Sequence, residues 1–345
     1  MRSDGMSEQP QSIKQSEDTS FYTVSGSGEL YGLENQLVHV LAEANQTNQL
    51  FELVLITGGK GAYFPLHCHE TLFETIFVLE GKLEVILDGK KYMVTACDYI
   101  HIPPKTIHGY RMHSHKTRFI SYTLGGQMTD VYQQIGKRLL QNEWPMTDHP
   151  FDADSFHQAE KESDIILMHG IRELSNTTKP AVLFHSQLPR AVQPYVLEAG
   201  EGKQYMVEGQ LHELIATTET TGDGFSYFVI EGTKGKGLRS HYHEMHTEAL
   251  YCVEGRINLQ LNGENICLMP GDFAYIPPNT VHLYEFVSHS NKMLVLLLPG
   301  YIEQVFKQFE EAQSPGMCPY FIQGGNMMEG GETSAQYDLV FVEDK

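Results

Sequence analysis

Two histidines and a glutamate stand close together in the first third of the chain. His67 and His69 are two residues apart, so on a β-strand both imidazoles leave the same face. Glu74 follows five residues later, which leaves room for a short turn and a return on the next strand. His108 is the candidate for a third histidine on a facing strand. Three imidazole nitrogens and one carboxylate suit a divalent first-row metal with open coordination positions.

The same residue types recur later in the chain at one fixed offset. Each member of the second set lies 174 residues after its counterpart, and the set consists of His241, His243, Glu248 and His282. One His-x-His pair alone is weak evidence, because paired histidines on a strand are often only hydrogen-bonded polar residues. Four liganding residue types repeated at one offset are not a chance arrangement, so the sequence predicts two equivalent metal sites.

A repeat around these residues decides the predicted architecture. The 174-residue offset holds without a gap from about Gly26 to Gly126, which predicts two equivalent domains in a chain of 345 residues. Short segments rich in Val, Ile, Tyr and Phe alternate with turns, and Asp88-Gly89 and Asn262-Gly263 are hairpin signals. Strands at this spacing without intervening helices predict antiparallel sandwiches or barrels.

Helical patterns come only after each predicted barrel, over residues 129–135 and 302–309, so each domain is expected to end in a short helical appendage. Segment 337–342 is expected to be a final strand added to a barrel. The predicted division of the chain is a mobile tail (1–20), an N-terminal barrel with its appendage (21–140), a connection (141–190) and a C-terminal barrel with its appendage and tail (191–345).

Composition excludes several classes of partner. The net charge of −20 is spread along the chain, which disfavours nucleic acid and anionic membranes because neither finds a basic patch. No apolar run approaches the length of a membrane span. The five cysteines are odd in number and form no Cys-x-x-Cys, which favours free thiols and a cytoplasmic location. Cys68 lies between two candidate ligands, but strand alternation points it to the opposite face, so it is predicted to pack rather than to ligate.

Both repeats match the first cupin motif, Gly-x5-His-x-His-x4-Glu-x6-Gly, without deviation. The second motif, Gly-x5-Pro-x-Gly-x2-His-x3-Asn, is met more loosely. Asn279 and Phe286 depart from it in the second repeat, and Cys97, Lys105 and Met112 depart from it in the first. These departures affect turn geometry and not the ligands. The chain thus resembles the cupin superfamily, which implies an all-β protein of two tandem jelly-roll barrels.

From about Tyr22 to its end, the chain resembles the bacterial two-domain quercetin 2,3-dioxygenases. The stretches that carry this match are 51–61, 194–202 and 241–248. The resemblance implies a metal-dependent dioxygenase that opens the central ring of a flavonol such as quercetin with O2 and releases carbon monoxide. It favours iron or manganese over cobalt, nickel, copper or zinc, and O2 is the co-substrate. No flavin or nicotinamide motif is present. A small-molecule flavonol is the expected partner, and a homodimer is left open.

The carboxylates are the candidate general bases of this chemistry. Glu74 and Glu248 are the ionisable carboxylates of their sets, so each is the natural acceptor of a substrate hydroxyl proton. Four further residues are predicted to line a substrate pocket: Ile76, Tyr110, Met112 and Tyr284. Five histidines without a partner at ligand spacing are predicted to be surface or hydrogen-bonded polar residues: His101, His113, His115, His246 and His289.

The alternation of side chains along a β-strand also predicts a difference between the two barrels. Pro65 and Arg239 each stand two residues before the first ligand histidine, so both are predicted to point inward. An unpaired arginine beside a cation is unfavourable. The N-terminal site is therefore predicted to be better suited to a flat, apolar polyphenol.

Two other readings stay open. One is another metal bicupin, such as an oxalate decarboxylase. Those enzymes carry an Arg three residues before the first ligand histidine, where this chain has the apolar Phe64 and Leu238. The other is a bicupin that binds a small molecule without catalysis, as storage or sensing proteins do. Storage members have typically lost the ligands that both repeats keep here, and no DNA-binding helix-turn-helix is apparent.

Overall fold

The computed structural model describes residues 19–140, 153–168, 187–300, 303–306 and 338–342. Most of the predicted tail and connection lie outside these residues. In chain order the elements of the first half are β1 (Phe21–Thr23), β2 (Leu30–Leu33), β3 (Gln36–Ala42), β4 (Phe51–Gly58), β5 (Tyr63–His69), β6 (Phe73–Glu80), β7 (Lys82–Leu87), β8 (Lys90–Thr95), β9 (Tyr99–Ile102), β10 (His108–Met112), β11 (Thr117–Leu124), α1 (Met128–Ile135), β12 (Lys137–Leu139), α2 (Ala153–Glu162) and β13 (Ile165–Leu167).

The second half follows a similar order, with an added short helix between its third and fourth strands. Its elements are β14 (Tyr195–Leu197), β15 (Lys203–Val207), β16 (Gln210–Ala216), α3 (Thr218–Thr221), β17 (Ser226–Gly232), β18 (Gly235–Lys236), β19 (His241–Tyr242), β20 (Thr247–Glu254), β21 (Ile257–Leu261), β22 (Glu264–Leu268), β23 (Phe273–Ile276), β24 (His282–Phe286), β25 (Asn291–Leu298), α4 (Glu303–Phe306) and β26 (Val340–Phe341).

Each barrel consists of a larger and a smaller antiparallel sheet. In the first barrel the larger sheet has the order β12-β2-β3-β4-β11-β6-β9-β14, and the smaller one β13-β5-β10-β7-β8. In the second barrel the orders are β1-β23-β20-β25-β17-β16-β15 and β22-β21-β24-β19-β26, with β18 beside β24. The prediction of two tandem all-β jelly-roll barrels with short helical appendages is confirmed. The predicted final strand is present as β26, and β13 and α2 come from the predicted connection.

The first strand of each half pairs with the other half. β1 pairs with β23 in the register Phe21 to Tyr275, and β14 pairs with β9 in the register Tyr195 to His101. The two pairs are related by the 174-residue offset, so each half contributes its first strand to the larger sheet of the other half. Each larger sheet is therefore completed by a strand from the other repeat, which ties the two barrels together through backbone hydrogen bonds.

Three clusters of buried side chains form the core. One fills each barrel, and the third lies between the two larger sheets and takes residues from both halves. This third cluster is rich in aromatic residues that are almost fully buried, among them Phe51, Tyr99, Tyr122, Phe225, Tyr227, Tyr251 and Phe273. Because each buried aromatic ring removes roughly 150–250 Å² from water, this cluster is a major source of stability at the junction.

The turns behave as the sequence predicts. Asp88 and Asn262 have φ of 44° and 47°, and each is followed by a glycine with positive φ in the hairpin that joins two strands. Lys105 and Asn279, which stand where the second cupin motif has glycine, have φ of 69° and 63°. Asparagine tolerates this left-handed region better than lysine does, so Lys105 carries the larger conformational cost.

Two candidate metal centres

The first centre forms where three strands meet inside the N-terminal barrel. His67 and His69 lie on β5, Glu74 on β6 and His108 on β10, and one ligand atom from each lies within 4.8 Å of the others. His108 is paired with His67 in the register of the sheet. Its Nε2 lies 2.9 Å from Glu74 Oε2, and His69 Nε2 lies 3.9 Å from the same oxygen. All four side chains are buried.

The second centre repeats this arrangement in the C-terminal barrel. Its four members, His241, His243, Glu248 and His282, are buried and also offer ligand atoms within 4.8 Å of one another. His282 Nε2 lies 2.9 Å from Glu248 Oε2, and His243 Nε2 lies 3.5 Å from it. The structure thus brings together each of the two predicted ligand sets.

Backbone carbonyls hold all six histidines in one tautomer. In the first centre the Nδ1 atoms of His67, His69 and His108 lie 2.9 Å from the carbonyl oxygens of residues 65, 164 and 106. In the second centre the corresponding distances, to the carbonyl oxygens of residues 239, 338 and 280, are 2.7, 2.5 and 2.9 Å. Because each Nδ1 hydrogen is donated outward, each Nε2 can offer its lone pair to a cation, as in protein metal sites generally.

Burial and charge fit the same role. Burial lowers the pKa of His67 and of His241 well below the ordinary value, and neighbouring imidazoles lower both further. Burial alone would raise the pKa of Glu74, but hydrogen bonds and charge from His108 outweigh it and leave that pKa lowered. The Nε2 atoms of His67 and His69 are buried and have no hydrogen-bond partner among the described residues. Neutral imidazoles beside a carboxylate are the donor set of a divalent transition metal.

An aspartate that the sequence analysis missed supports each centre. The Asp164 carboxylate accepts hydrogen bonds from the backbone N–H groups of residues 70, 71 and 72, each 2.9 Å long. The backbone carbonyl oxygen of Asp164 accepts a hydrogen bond from His69 Nδ1. Asp338 does the same for residues 244–246 and His243. The two aspartates are 174 residues apart, so continuing the repeat beyond Gly126 would have found them. They fix the turn between the second histidine and the glutamate.

The two centres differ in the residue that lies beside the carboxylate. Ser121 Oγ donates a 2.9 Å hydrogen bond to Glu74 Oε1, so both oxygens of that carboxylate are engaged. The residue at the same offset in the second barrel is Val295, which is buried and cannot donate. Glu74 is therefore held by a hydroxyl that Glu248 lacks.

A cavity of about 30 Å³ opens beside the second centre. His241, His243, Glu248 and Tyr284 line it, and its apolar walls are Phe228, Ile230, Leu238, Leu297, Val305 and Phe306. The Tyr284 hydroxyl donates a 2.6 Å hydrogen bond to Gln210 Oε1, and the Tyr110 hydroxyl likewise donates to Gln36 at 2.9 Å. Ile76 and Met112 are buried in the core of the first barrel. A pocket role for these two residues and for Tyr110 stays a prediction.

The predicted inward positions of Pro65 and Arg239 are wrong. The register of β5 against β10 shifts between His108 and Tyr110, so Phe64 and not Pro65 packs against the His67 ring, with centroids 4.9 Å apart. Arg239 is exposed and its guanidinium lies 4.6 Å from the centroid of Phe341. The extra residue of a β-bulge reverses the alternation, and this removes the reason given for a better N-terminal site.

The remaining histidines are surface or hydrogen-bonded residues, as predicted, and two of the five are buried. His101 is fully buried, with Nδ1 2.8 Å from the Tyr99 hydroxyl and Nε2 3.1 Å from the carbonyl oxygen of residue 220. His246 is also buried, and its Nδ1 lies 2.5 Å from Asp338 Oδ2. It thereby joins the group that positions the second centre. Cys68 faces away from the ligands on β5, as predicted, but it is partly exposed and not in the core, so the prediction of core packing is wrong.

Comparison with known proteins agrees with this geometry. Residues 54–122 and 227–298 each match the cupin domain family. The chain is 41% identical over 289 residues to the quercetin 2,3-dioxygenase of Bacillus subtilis (strain 168), covering 82% of this chain and 83% of that protein. It is 26% identical over 129 residues to the quercetin 2,3-dioxygenase of Aspergillus japonicus, covering 34% and 36% of the two chains.

Solved structures with low sequence identity share the fold. Oxalate decarboxylase from Bacillus subtilis superposes with a TM-score of 0.55 at 15% identity, covering 84% of this chain and 78% of that one. Procruciferin, an 11S globulin from Brassica napus, gives a TM-score of 0.53 at 10% identity, covering 82% and 85%. These two likenesses concern the fold alone. Together with the identity to the bacterial enzyme, the repeated motifs and the paired centres place the chain in the two-barrel cupin family of the Bacillus subtilis quercetin 2,3-dioxygenase.

Proposed function

We propose that the protein is a metal-dependent dioxygenase that opens the central ring of flavonols such as quercetin with O2 and releases carbon monoxide. The observation that carries this proposal is the conjunction of the 41% identity to the Bacillus subtilis enzyme with two complete sets of three histidines and one glutamate. A divalent metal held by these residues, with iron or manganese favoured, would act as a Lewis acid toward the substrate oxygen.

The chain's own residues then bind the substrate and move its proton. Glu74 and Glu248 are the proposed general bases, because each carboxylate lies within its ligand set and its pKa is lowered, which keeps it ionised. The walls of the second cavity are apolar apart from the ligand set, His212 and Tyr284, which suits an aromatic ring system. The cavity of about 30 Å³ has room for little more than one water molecule, so a flavonol requires the lining side chains to move apart.

Oxalate decarboxylation is the less favoured candidate. A small dianion needs a cationic side chain near the metal, and the positions three residues before the first ligand histidines hold Phe64 and Leu238. Phe64 packs against the His67 ring, and Leu238 lines the second cavity. Arg239, the neighbouring cation, is exposed and stacks on Phe341. The apolar residues at these positions favour an apolar substrate.

The decisive experiment follows quercetin and carbon monoxide together. Protein reconstituted with Fe²⁺ or Mn²⁺ is incubated with quercetin in air, and loss of the flavonol absorbance is measured alongside carbon monoxide release. The metal-free protein is the control, and a parallel incubation with oxalate tests for formate and CO2. Equal amounts of quercetin lost and carbon monoxide released support the proposal. Absence of carbon monoxide, or formation of formate, would overturn it.

The free cysteines bear on the cellular compartment of the protein. Four cysteines, Cys68, Cys97, Cys252 and Cys267, are free, which favours a reducing compartment such as the cytoplasm. Among the described residues, none of the helices is long and apolar enough to cross a membrane. The homodimer stays a prediction, and sedimentation of the reconstituted protein tests it.

A further inference from the structure

A further histidine lies at the second centre outside its ligand set. His212 is on β16, is 3% exposed and lines the same cavity as His241 and Glu248. Two aromatic side chains hold its ring. Phe228 stacks on it with centroids 6.1 Å apart, and Phe306 contacts it at 5.4 Å. The imidazole therefore has a fixed position in the cavity wall.

This imidazole has unused hydrogen-bonding capacity. Its Nδ1 is buried and has no hydrogen-bond partner among the described residues. Burial lowers the pKa of His212 to about 3, so the ring is neutral near pH 7 and carries one donor and one acceptor. The other polar side chain of the wall, Tyr284, already donates to Gln210. Since a buried polar group without a partner costs stability, a side chain of this kind in a cavity wall points to a ligand.

The first barrel has no histidine at the matched position, although Tyr132 places a buried hydroxyl where the second barrel has Phe306. The matched position, 174 residues before the histidine, holds Val38, which is fully buried in the core of the N-terminal barrel. The flanking residues of the two strands correspond, since Gln36 and Gln210 both accept a hydrogen bond from a tyrosine hydroxyl. His212 is one of four differences between the seven matched residues of the two strands, and it lines the cavity beside the metal ligands.

We propose that His212 is a ligand-binding residue of the C-terminal centre, which hydrogen-bonds a small polar ligand of two or three atoms held in the cavity beside the metal ligands. The volume of about 30 Å³ favours a small ligand over a flavonol, which requires a larger movement of the lining side chains. The N-terminal centre, with Val38, lacks this hydrogen bond. The proposal requires metal binding at the C-terminal centre and does not depend on cleavage of quercetin.

The test uses azide as the probe on Co²⁺-loaded protein with one centre at a time. His67→Ala leaves the C-terminal centre to be loaded, and His241→Ala leaves the N-terminal one. Azide is titrated into each, and its Kd is read from the visible absorption of Co²⁺. The C-terminal centre should bind azide roughly five- to tenfold more tightly, the effect of one neutral hydrogen bond. This comparison needs no change at residue 212.

Substitutions at the two matched positions then locate the effect. In the His67→Ala background, His212→Val should weaken azide binding by about the same roughly five- to tenfold factor, and His212→Asn should restore part of it. In the His241→Ala background, Val38→His should strengthen binding. Equal azide affinities of the two centres, or an unchanged Kd in His212→Val with full cobalt content, would overturn the proposal. Quercetin cleavage is measured separately, so its absence leaves this result standing.

Discussion

The N-terminal and C-terminal centres have the same donor atoms and different surroundings. In both, a strand of the larger sheet carries the glutamate, strands of the smaller sheet carry the histidines except His243, which directly follows β19, and backbone carbonyls orient every imidazole. The residues around the ligands differ at several matched positions. Ser121 corresponds to Val295, Val38 to His212 and Phe64 to Leu238.

This pattern shows which parts of the site the backbone determines. Ligand positions follow from strand pairing, because His67 opposes His108 and His241 opposes His282 in register. Wall positions need only pack, so they can vary without disturbing the metal set. A repeated fold can thus keep two similar centres while their ligand preferences diverge. Variants at matched positions test how far the two centres are equivalent.

The largest effect is expected from removing a ligand. Reconstituted protein should hold about two metal ions per chain, one for each ligand set. His67→Ala and His241→Ala should each remove about one metal ion per chain, because the altered set loses one of its four donors. The other site should stay filled. Elemental analysis measures this, and His115→Ala, an exposed histidine, is the matched control. Well under one metal per chain in the parent protein would contradict both centres.

The same two variants rank the centres by activity. If the centres are equivalent, each variant should keep about half of the parent's quercetin cleavage. A variant that keeps nearly all or nearly none identifies the centre that turns over. With Arg239 exposed and stacked on Phe341, the structure no longer favours the N-terminal centre on that ground.

The next largest effect is expected from the carboxylates. Glu74→Gln and Glu248→Gln keep the size of the side chain and one oxygen but remove the base, so turnover at the altered centre should fall by roughly 10²–10⁴-fold. Thermal unfolding should change little beside that loss. Steady-state rates in the single-centre backgrounds measure the effect for each barrel. A rate within a few-fold of the parent would assign the proton transfer to another group.

The ligand sets were predictable because their signals are local. Spacings of two and five residues place His67, His69 and Glu74 on two consecutive strands, and the fixed offset then identified the second set. Strand alternation also placed Cys68 away from the ligands. Hairpins at Asp88 and Asn262 followed from the residues that tolerate positive φ.

What the sequence did not predict depends on contacts between distant segments or on bulges. Alternation fails at Phe64 because β5 carries an extra residue against β10. Asp164 lies 95 residues after the histidine that it positions. The exchange of β1 and β14 depends on which sheet edge accepts a short strand, and periodicity does not encode that choice.

A smaller effect is expected from the two aspartates. Asp164→Asn replaces one of two carboxylate oxygens that accept N–H bonds by a donor, which should loosen the turn after His69. Metal affinity at the N-terminal centre should weaken by about 10–100-fold, the usual range for groups that orient ligands. Asp338→Asn should do the same at the C-terminal centre only. Competition with a chelator in single-centre backgrounds measures both, and Asp154→Asn, an exposed residue of α2, is the control. Loss of metal from the wrong centre would refute the assignment.

The smallest expected effect concerns the hydroxyl that distinguishes the two carboxylates. The hydrogen bond from Ser121 helps to lower the pKa of Glu74, so Ser121→Ala should raise that pKa. A base with a higher pKa is protonated at higher pH, and the acid limb of the pH–rate profile should therefore move up by less than about one unit. The rate at neutral pH should fall by about threefold to tenfold as the carboxylate loses its orientation.

The reciprocal change at Val295 completes the comparison. Val295→Ser places a hydroxyl at the same offset beside Glu248, so the acid limb of the C-terminal centre should move to lower pH. Both profiles are recorded in single-centre backgrounds with equal metal content, so that a loss of metal does not mimic a shift. If Ser121→Ala leaves the acid limb of the N-terminal centre in place, the serine does not tune the carboxylate. The two centres then differ at this position only in packing.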